Sequence, residues 1–362
     1  MKILFAGGGT GGHLFTGIAL AERLTSEDEV LFVGTSYGLE NEIVPRAGYR
    51  LEKIEVKPLK GKGLKARLKA LFEVPASLFQ SYKLLRKERP QLVIGIGGYA
   101  SGPVILMARF MGIKTAIVEQ NSMPGFSNRI LGKFVHRVFI AFEQARDFFS
   151  PSKTLLTGNP VRKAFLMPPL PLSPSPLFLS FTLLILGGSQ GAHSVNEAMV
   201  EAAVILNSNS ELPQIRIIHQ TGKLDFEKVK EAYAQKGISA EVFEFIQNPK
   251  EYYSQADLVI SRSGAGSVSE LQILGKASIL IPYPYATDDH QRFNAMELVD
   301  KGAARLILNP NLNGGRLASE ILELMKHPEK IQGMSEAAQR LAKPQAAEKI
   351  LEECRKILEK ST

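Results

Sequence analysis

Cysteine is almost missing from this chain: Cys354 is the only one in 362 residues. That excludes a disulfide framework and a cysteine zinc site, and it suits a reducing compartment. Long apolar runs are missing too. No stretch approaches the roughly 20 residues that span a bilayer as a helix. Met1-Lys2 leads straight into an apolar strand pattern, so no charged-then-apolar leader is expected. No metal-ligand cluster stands out at ligating spacing. What remains is an ordinary globular balance, 44% hydrophobic and 22% charged, with length enough for two domains. A net charge of +8 leaves nucleic acid, a membrane surface or an anionic small molecule as partner classes.

The first loop, Gly7-Gly8-Gly9-Thr10-Gly11-Gly12-His13, follows the apolar run Ile3 to Ala6. It opens into helical spacing at Leu14, Ile18, Ala19, Ala21 and Leu24. Strand, glycine loop and helix in that order can present backbone N–H groups to an anion. Gly7-x-Gly9-x-x-Gly12 also fits the dinucleotide fingerprint. Such a site needs an acid at the end of the next strand to hold ribose hydroxyls. Val30 to Val33 ends instead in Gly34-Thr35-Ser36, with Glu40 the first acid beyond, which counts against a nicotinamide cofactor.

Strand patterns recur at Leu92–Ile96, Thr115–Val118, Val138–Ile140 and Thr154–Leu156, separated by helical patterns. This alternation predicts a doubly wound parallel sheet, whose ligands bind beyond the carboxyl ends of the strands. Gly97-Gly98-Tyr99-Ala100-Ser101-Gly102-Pro103 and Glu119-Gln120-Asn121 stand at such ends. Five prolines between Met167 and Pro176 mark a connector, placed at residues 166–178. The second half restarts the scheme with Phe181–Leu186, the loop Gly187-Gly188-Ser189-Gln190-Gly191-Ala192, and strands at Ile215–Ile218, Val242–Ile246, Asp257–Ile260 and Ser278–Ile281. The fold class is therefore α/β, as a tandem of two similar domains, residues 1–165 and 179–342. The last helical stretch, within 343–362, is expected to pack back on the first.

Between Lys57 and Lys69 stand six basic residues and no acid, interleaved with Leu64, Leu68, Leu71, Phe72, Leu78 and Phe79 at helical spacing. Lys57 to Phe79 thus fits a basic amphipathic helix on an anionic bilayer, or an ordinary solvated helix face. No aromatic platform accompanies the charge, which argues against nucleic acid.

Gly187-x-Ser189-x-Gly191 matches the nucleophile elbow of a hydrolase, and Asp257 or Asp288 with His290 could complete a triad. The Gly-Gly start and the repeated loop design favour a phosphate-type loop instead. Ser261-Arg262-Ser263-Gly264-Ala265-Gly266-Ser267 precedes another helical stretch with Glu270 one turn in. A helix start for phosphate beside a carboxylate for ribose hydroxyls is a nucleotide signature; the plainer alternative is Ser263 as an N-cap. His13 has the intrinsic pKa of a general base.

Together these motifs resemble the MurG family of bacterial peptidoglycan N-acetylglucosaminyltransferases, which have the two-domain GT-B glycosyltransferase architecture. The resemblance runs through Gly9-Thr10-Gly11-Gly12-His13, Gly97 to Pro103, Glu119-Gln120-Asn121, Gly158 to Arg162, Gly187 to Ala192, Ser261 to Glu270, and His290-Gln291 with Asn294-Ala295. It implies two Rossmann-like domains facing a deep cleft, the first binding acceptor and membrane and the second the nucleotide sugar. The implied reaction is inverting transfer of N-acetylglucosamine from UDP-N-acetylglucosamine to the C4 hydroxyl of the muramoyl residue in lipid I, giving lipid II and UDP. Donor contacts would come from Thr10, Gly11, Gly12, Asn121, Arg162, Ser189, Ile246, Ala265, Gly266, Ser267, Val268, Ser269, Glu270 and Gln291. Acceptor contacts would come from Gly9, Gly97, Gly98, Tyr99, Ser101 and Asn128. The base would be His13, or else Glu119. No metal or other cofactor is expected, in keeping with the lack of an Asp-x-Asp. The enzyme would sit peripherally on the cytoplasmic face of the bacterial membrane, with cell-wall synthesis and division proteins as further partners. Three positions depart from the family: Thr16 for a proline, Val118 for a histidine and Gly266 for a leucine. A glycolipid synthase of the same architecture, moving hexose to diacylglycerol, is the nearest rival; a nucleotide-sugar-binding or epimerase-like protein is another.

Overall fold

A computed structural model describes residues 1–56, 64–167, 180–188, 191–209 and 212–359, with side chains from residue 74 onward in the helix Leu64–Glu88. Much of the basic segment Lys57 to Phe79, most of the connector 166–178, and Ser189 lie outside the described residues. The chain divides into two units, Met1–Lys163 with Lys343–Thr362, and Ala164–Ala342.

Among the described residues, the first unit holds seven parallel strands: β1 (Lys2–Gly7), β2 (Glu29–Gly34), β3 (Arg50–Lys53), β4 (Leu92–Gly97), β5 (Lys114–Glu119), β6 (Arg137–Ile140) and β7 (Thr154–Leu156). Their spatial order is β3-β2-β1-β4-β5-β6-β7. Side chains alternate across a strand, and β1 uses both faces. Ile3 and Phe5 enter one apolar cluster, Leu4 and Ala6 the other. The helix Ala346–Glu359 returns to the first cluster and buries Ala347, Ile350, Leu351 and Cys354 there. Burial pushes the Cys354 thiol pKa up, which keeps it protonated and unreactive.

The second unit repeats the plan in six parallel strands: β8 (Ser180–Leu186), β9 (Gln214–Gln220), β10 (Ala240–Phe243), β11 (Leu258–Ser261), β12 (Ser278–Leu280) and β13 (Ala304–Leu306), ordered β10-β9-β8-β11-β12-β13. Strand order reverses between β1 and β4 in one sheet and between β8 and β11 in the other. Loops after those four strands are where a doubly wound sheet opens a ligand crevice. All four contain glycine. Two strands are absent from the apolar patterns read above. β3 is an edge strand with three charges in four residues, and β13 is a three-residue edge. The strand expected over Val242–Ile246 stops at Phe243, leaving Ile246 in the following loop. No described helix is long and apolar enough to cross a membrane.

One ion-pair network fixes the start of β1. Glu88, at the end of the helix Leu64–Glu88, takes Lys2 Nζ at 2.8 Å and an Arg50 guanidinium nitrogen at 3.2 Å. The Lys2 ammonium, working against burial and aided by Arg50, brings the Glu88 carboxyl down from 4.5 to about 2. A carboxylate with a lowered folded-state pKa adds stability above its unfolded pKa and loses it as pH falls towards the folded value. Glu88→Gln should therefore melt below the parent at pH 6, with the gap closing between about pH 4.5 and 2. Thermal unfolding followed by circular dichroism across that range checks this, and a gap of constant size would contradict it.

Candidate active site

In the first unit the loops after β1 and β4 touch. Gly8 N–H donates to Gly97 O at 3.1 Å. A Cβ on Gly7 or Gly98 would collide with Gly97 O or Gly8 O, so glycine at these positions is a condition of the crossing. Behind the first loop lies Glu40, 0% exposed. Its carboxylate accepts Gly9 N–H at 2.8 Å and both the N–H and the hydroxyl of Thr35 at 2.7 Å. A Cβ on Gly8, Gly34 or Gly38 would strike its side chain. Burial alone would raise the Glu40 pKa, but these donors outweigh it and hold the carboxyl below its ordinary range.

The N–H groups of Gly8 and Gly9 are thus spent inside the protein. An anion at this loop would have to use the first turn of the helix Gly11–Ala21, whose N–H groups have no intrahelical acceptor. His13 sits on that turn and its ring lies over Gly97. Its Nδ1 is 3.3 Å from Gly8 O and 3.2 Å from Thr10 Oγ1. A carbonyl only accepts, so the Gly8 contact requires the proton on Nδ1 and makes Nε2 the basic nitrogen. Thr16 is 3.0 Å from both Gly12 O and Asn159 Oδ1, tying this helix to the Gly158–Arg162 stretch. Arg162 places its guanidinium 4.5 Å over the Phe15 ring.

At the end of β5 the buried Glu119 accepts four bonds: Asn121 N–H at 2.9 Å, Asn121 Nδ2 at 3.2 Å, Gly125 N–H at 3.1 Å and Asn128 Nδ2 at 2.9 Å. Burial raises its pKa despite them. Asn128 Oδ1 is buried with no donor among the described residues. Tyr99 is exposed, whereas Ser101 is fully buried with its hydroxyl against Gly95.

In the second unit Gln220 bridges two loops, donating to Gly188 O and accepting Ile246 N–H, both at 2.9 Å. The Ile246 N–H is thus engaged inside the protein. The helix Ala265–Leu274 starts from Gly264, which brings no capping side chain. Ser263 is not its N-cap; the Ser263 hydroxyl donates to Gln291 O at 2.8 Å instead. Gly266 faces open space. Glu270 is half-buried, with Tyr253 OH donating to it at 3.3 Å. Ser269 gives its proton back to Ala265 O, and the Gln291 side-chain oxygen accepts Tyr283 N–H at 3.0 Å, leaving its amide N–H₂ for a ligand. Just before Gln291, Asp288 and Asp289 both adopt a left-handed φ of 52°.

The glycosyltransferase family 28 N-terminal domain matches residues 3–140, and its C-terminal domain residues 182–350. The chain belongs to glycosyltransferase family 28. It is 48% identical over 358 residues to the UDP-N-acetylglucosamine--N-acetylmuramyl-(pentapeptide) pyrophosphoryl-undecaprenol N-acetylglucosamine transferase of Myxococcus xanthus, spanning 98% of this chain and 92% of that one. The crystal structure of Acinetobacter baumannii MurG superposes with a TM-score of 0.77 at 28% identity, covering 98% and 99% of the two chains. A UDP-GlcNAc 2-epimerase from Neisseria meningitidis, TM-score 0.68 at 14% identity over 98% and 100% of the chains, shares the fold alone.

Sequence reasoning passed over three residues that organise these family 28 loops. Glu40 registered only as an acid too late to hold a ribose. Tyr253 comes from a helix twelve residues before Ala265. Arg262 donates to Ile281 O, Pro282 O, Asn309 Oδ1 and Ser194 Oγ at 3.0–3.1 Å, and burial lowers its pKa to about 10. Its position inside the motif was the one available signal.

Glu40→Gln should put an N–H₂ against donors and strand at least one of them, at about 1–3 kcal/mol of stability. The first loop should loosen, and kcat/KM for transfer should fall. Steady-state kinetics, with a melting curve, measure this; an unchanged kcat/KM and melting point would contradict it.

Proposed function

We propose that this chain transfers N-acetylglucosamine from UDP-N-acetylglucosamine to the C4 hydroxyl of the muramoyl residue in undecaprenyl-diphosphate-MurNAc-pentapeptide, giving lipid II and UDP with inversion. The observation that carries this reading is the start of the helix Ala265–Leu274: N–H groups without a side-chain cap, space at Gly266, and Glu270 oriented by Tyr253. A diphosphate would meet the N–H groups and the positive end of the helix dipole, and a ribose would meet the carboxylate.

The acceptor oxygen attacks the anomeric carbon as the bond to the β-phosphate breaks. Its proton goes to Nε2 of His13, and the helix end stabilises the negative charge on departing UDP. Glu119 suits the base less well, because its two oxygens already take four N–H donors; we assign it the positioning of Asn121 and Asn128. Membrane attachment through Lys57 to Phe79 on the cytoplasmic face completes the reading, since the acceptor is lipid-anchored.

UDP should be released only when a lipid I analogue is present, and from UDP-N-acetylglucosamine rather than UDP-glucose or UDP-galactose. Hexose transfer to diacylglycerol would instead indicate the glycolipid synthase. His13→Ala should lower turnover about a hundredfold or more; near-normal turnover would move the base elsewhere. Replacing Lys60, Lys62, Lys65 and Lys69 by glutamate should weaken binding to anionic vesicles and leave UDP-sugar affinity intact, and unchanged vesicle binding would remove this segment from the membrane contact.

A further inference from the structure

The first unit has a second polar concavity, at the amino ends of β5 and β6. Lys114 and Glu119 bound β5, so this place lies about 16 Å from the glycine loops along the strand. The cavity, ≈ 310 Å³, is lined by Arg109, Lys114, His136, Arg137 and Lys153, with Phe134 beside them and no carboxylate in its wall. One turn fixes three of the cations. Lys153 Nζ donates to Lys133 O, Arg109 Nε to Phe134 O and an Arg137 guanidinium nitrogen to His136 O, each at 3.0 Å. The Lys114 ammonium makes no hydrogen bond or ion pair among the described residues. Among the described residues the one acid pairing with this set is Glu353, 3.8 Å from Arg137 Nε and also held by Lys356.

His136 completes the wall. Its Nδ1 accepts Thr115 N–H at 3.1 Å, so a neutral ring carries its proton on Nε2 as a donor. Burial, then Arg109 and Lys114, hold the imidazole below its ordinary 6.5, so it is neutral at pH 7. Lysine, arginine and this tautomer of histidine offer donors alone. Polar side chains that all donate, around cations of which only Arg137 meets an acid among the described residues, describe a seat for an anion.

We propose that this cavity is a binding site for a phosphate group, separate from the donor and acceptor sites. Arg109, Lys114 and Lys153 together exceed what one carboxylate would balance, whereas a phosphate monoester or diphosphate carries about two charges or more. Its oxygens also suit a guanidinium fork. Phe134, 45% exposed, offers apolar surface to whatever carries the phosphate. Two sources share this chemistry: a soluble phosphorylated compound and the headgroup of an anionic lipid.

The test uses the full chain and the His136 imidazole resonance, assigned with His136→Gln. Inorganic pyrophosphate and dihexanoyl-phosphatidylglycerol are the two probes. A bound phosphate should raise the His136 titration midpoint by about one pH unit or more. The double variant Lys114→Gln/Lys153→Gln should abolish that rise without changing the KM for UDP-N-acetylglucosamine; Arg109→Gln serves if the double variant does not fold. A response to pyrophosphate alone supports the site and names a soluble ligand. A response to the lipid probe supports it and names a headgroup. A His136 midpoint that neither probe moves, or that moves equally in the variant, overturns the proposal.

Discussion

A buried carboxylate governs the geometry of the first unit. Glu40 reaches from the stretch after β2 to the back of the loop after β1, where three donors hold it ionised in the interior. An ionised group so far from water persists only when its oxygens are fully engaged. The surrounding glycines follow from this. Gly8, Gly34 and Gly38 leave room for the carboxylate, while Gly7 and Gly98 let the two loops cross in front of it. A spacing that resembles a dinucleotide fingerprint is here the footprint of a packing problem solved with small residues.

The second unit solves the corresponding problem without a negative charge. Gln220 does the bridging as a neutral amide, and the cation Arg262 ties the end of β12 to neighbouring loops through carbonyl and hydroxyl oxygens. The difference is chemically sensible if the departing diphosphate rests in this unit. A fixed carboxylate behind the loop would oppose the charge that builds on the leaving group, whereas neutral and cationic supports do not.

Much of this was legible in the chain. Apolar runs ending in glycine loops located β1, β4, β8 and β11, and with them both crevices, because buried parallel strands are near-continuous apolar segments. Other features were hidden for physical reasons. β3 is a charged edge strand, so its composition resembles a loop. The use of a donor is invisible to spacing: nothing in Gly9 announces that its N–H belongs to Glu40, and nothing in Ser263 that its hydroxyl turns to Gln291 rather than to its own helix. The basic cavity assembles residues 109, 114, 136, 137 and 153, which converge only after β5 and β6 have paired.

The return of Ala346–Glu359 to the first unit sets an order of events during synthesis. Its apolar face fills the cluster that β1, β4 and the helix Gly11–Ala21 share, yet the ribosome makes it after the whole second unit. Domains otherwise fold as they emerge. Here the first unit needs a segment made after the second. Until that helix emerges, the cluster lacks the apolar side chains it contributes against the helix Gly11–Ala21 and β5.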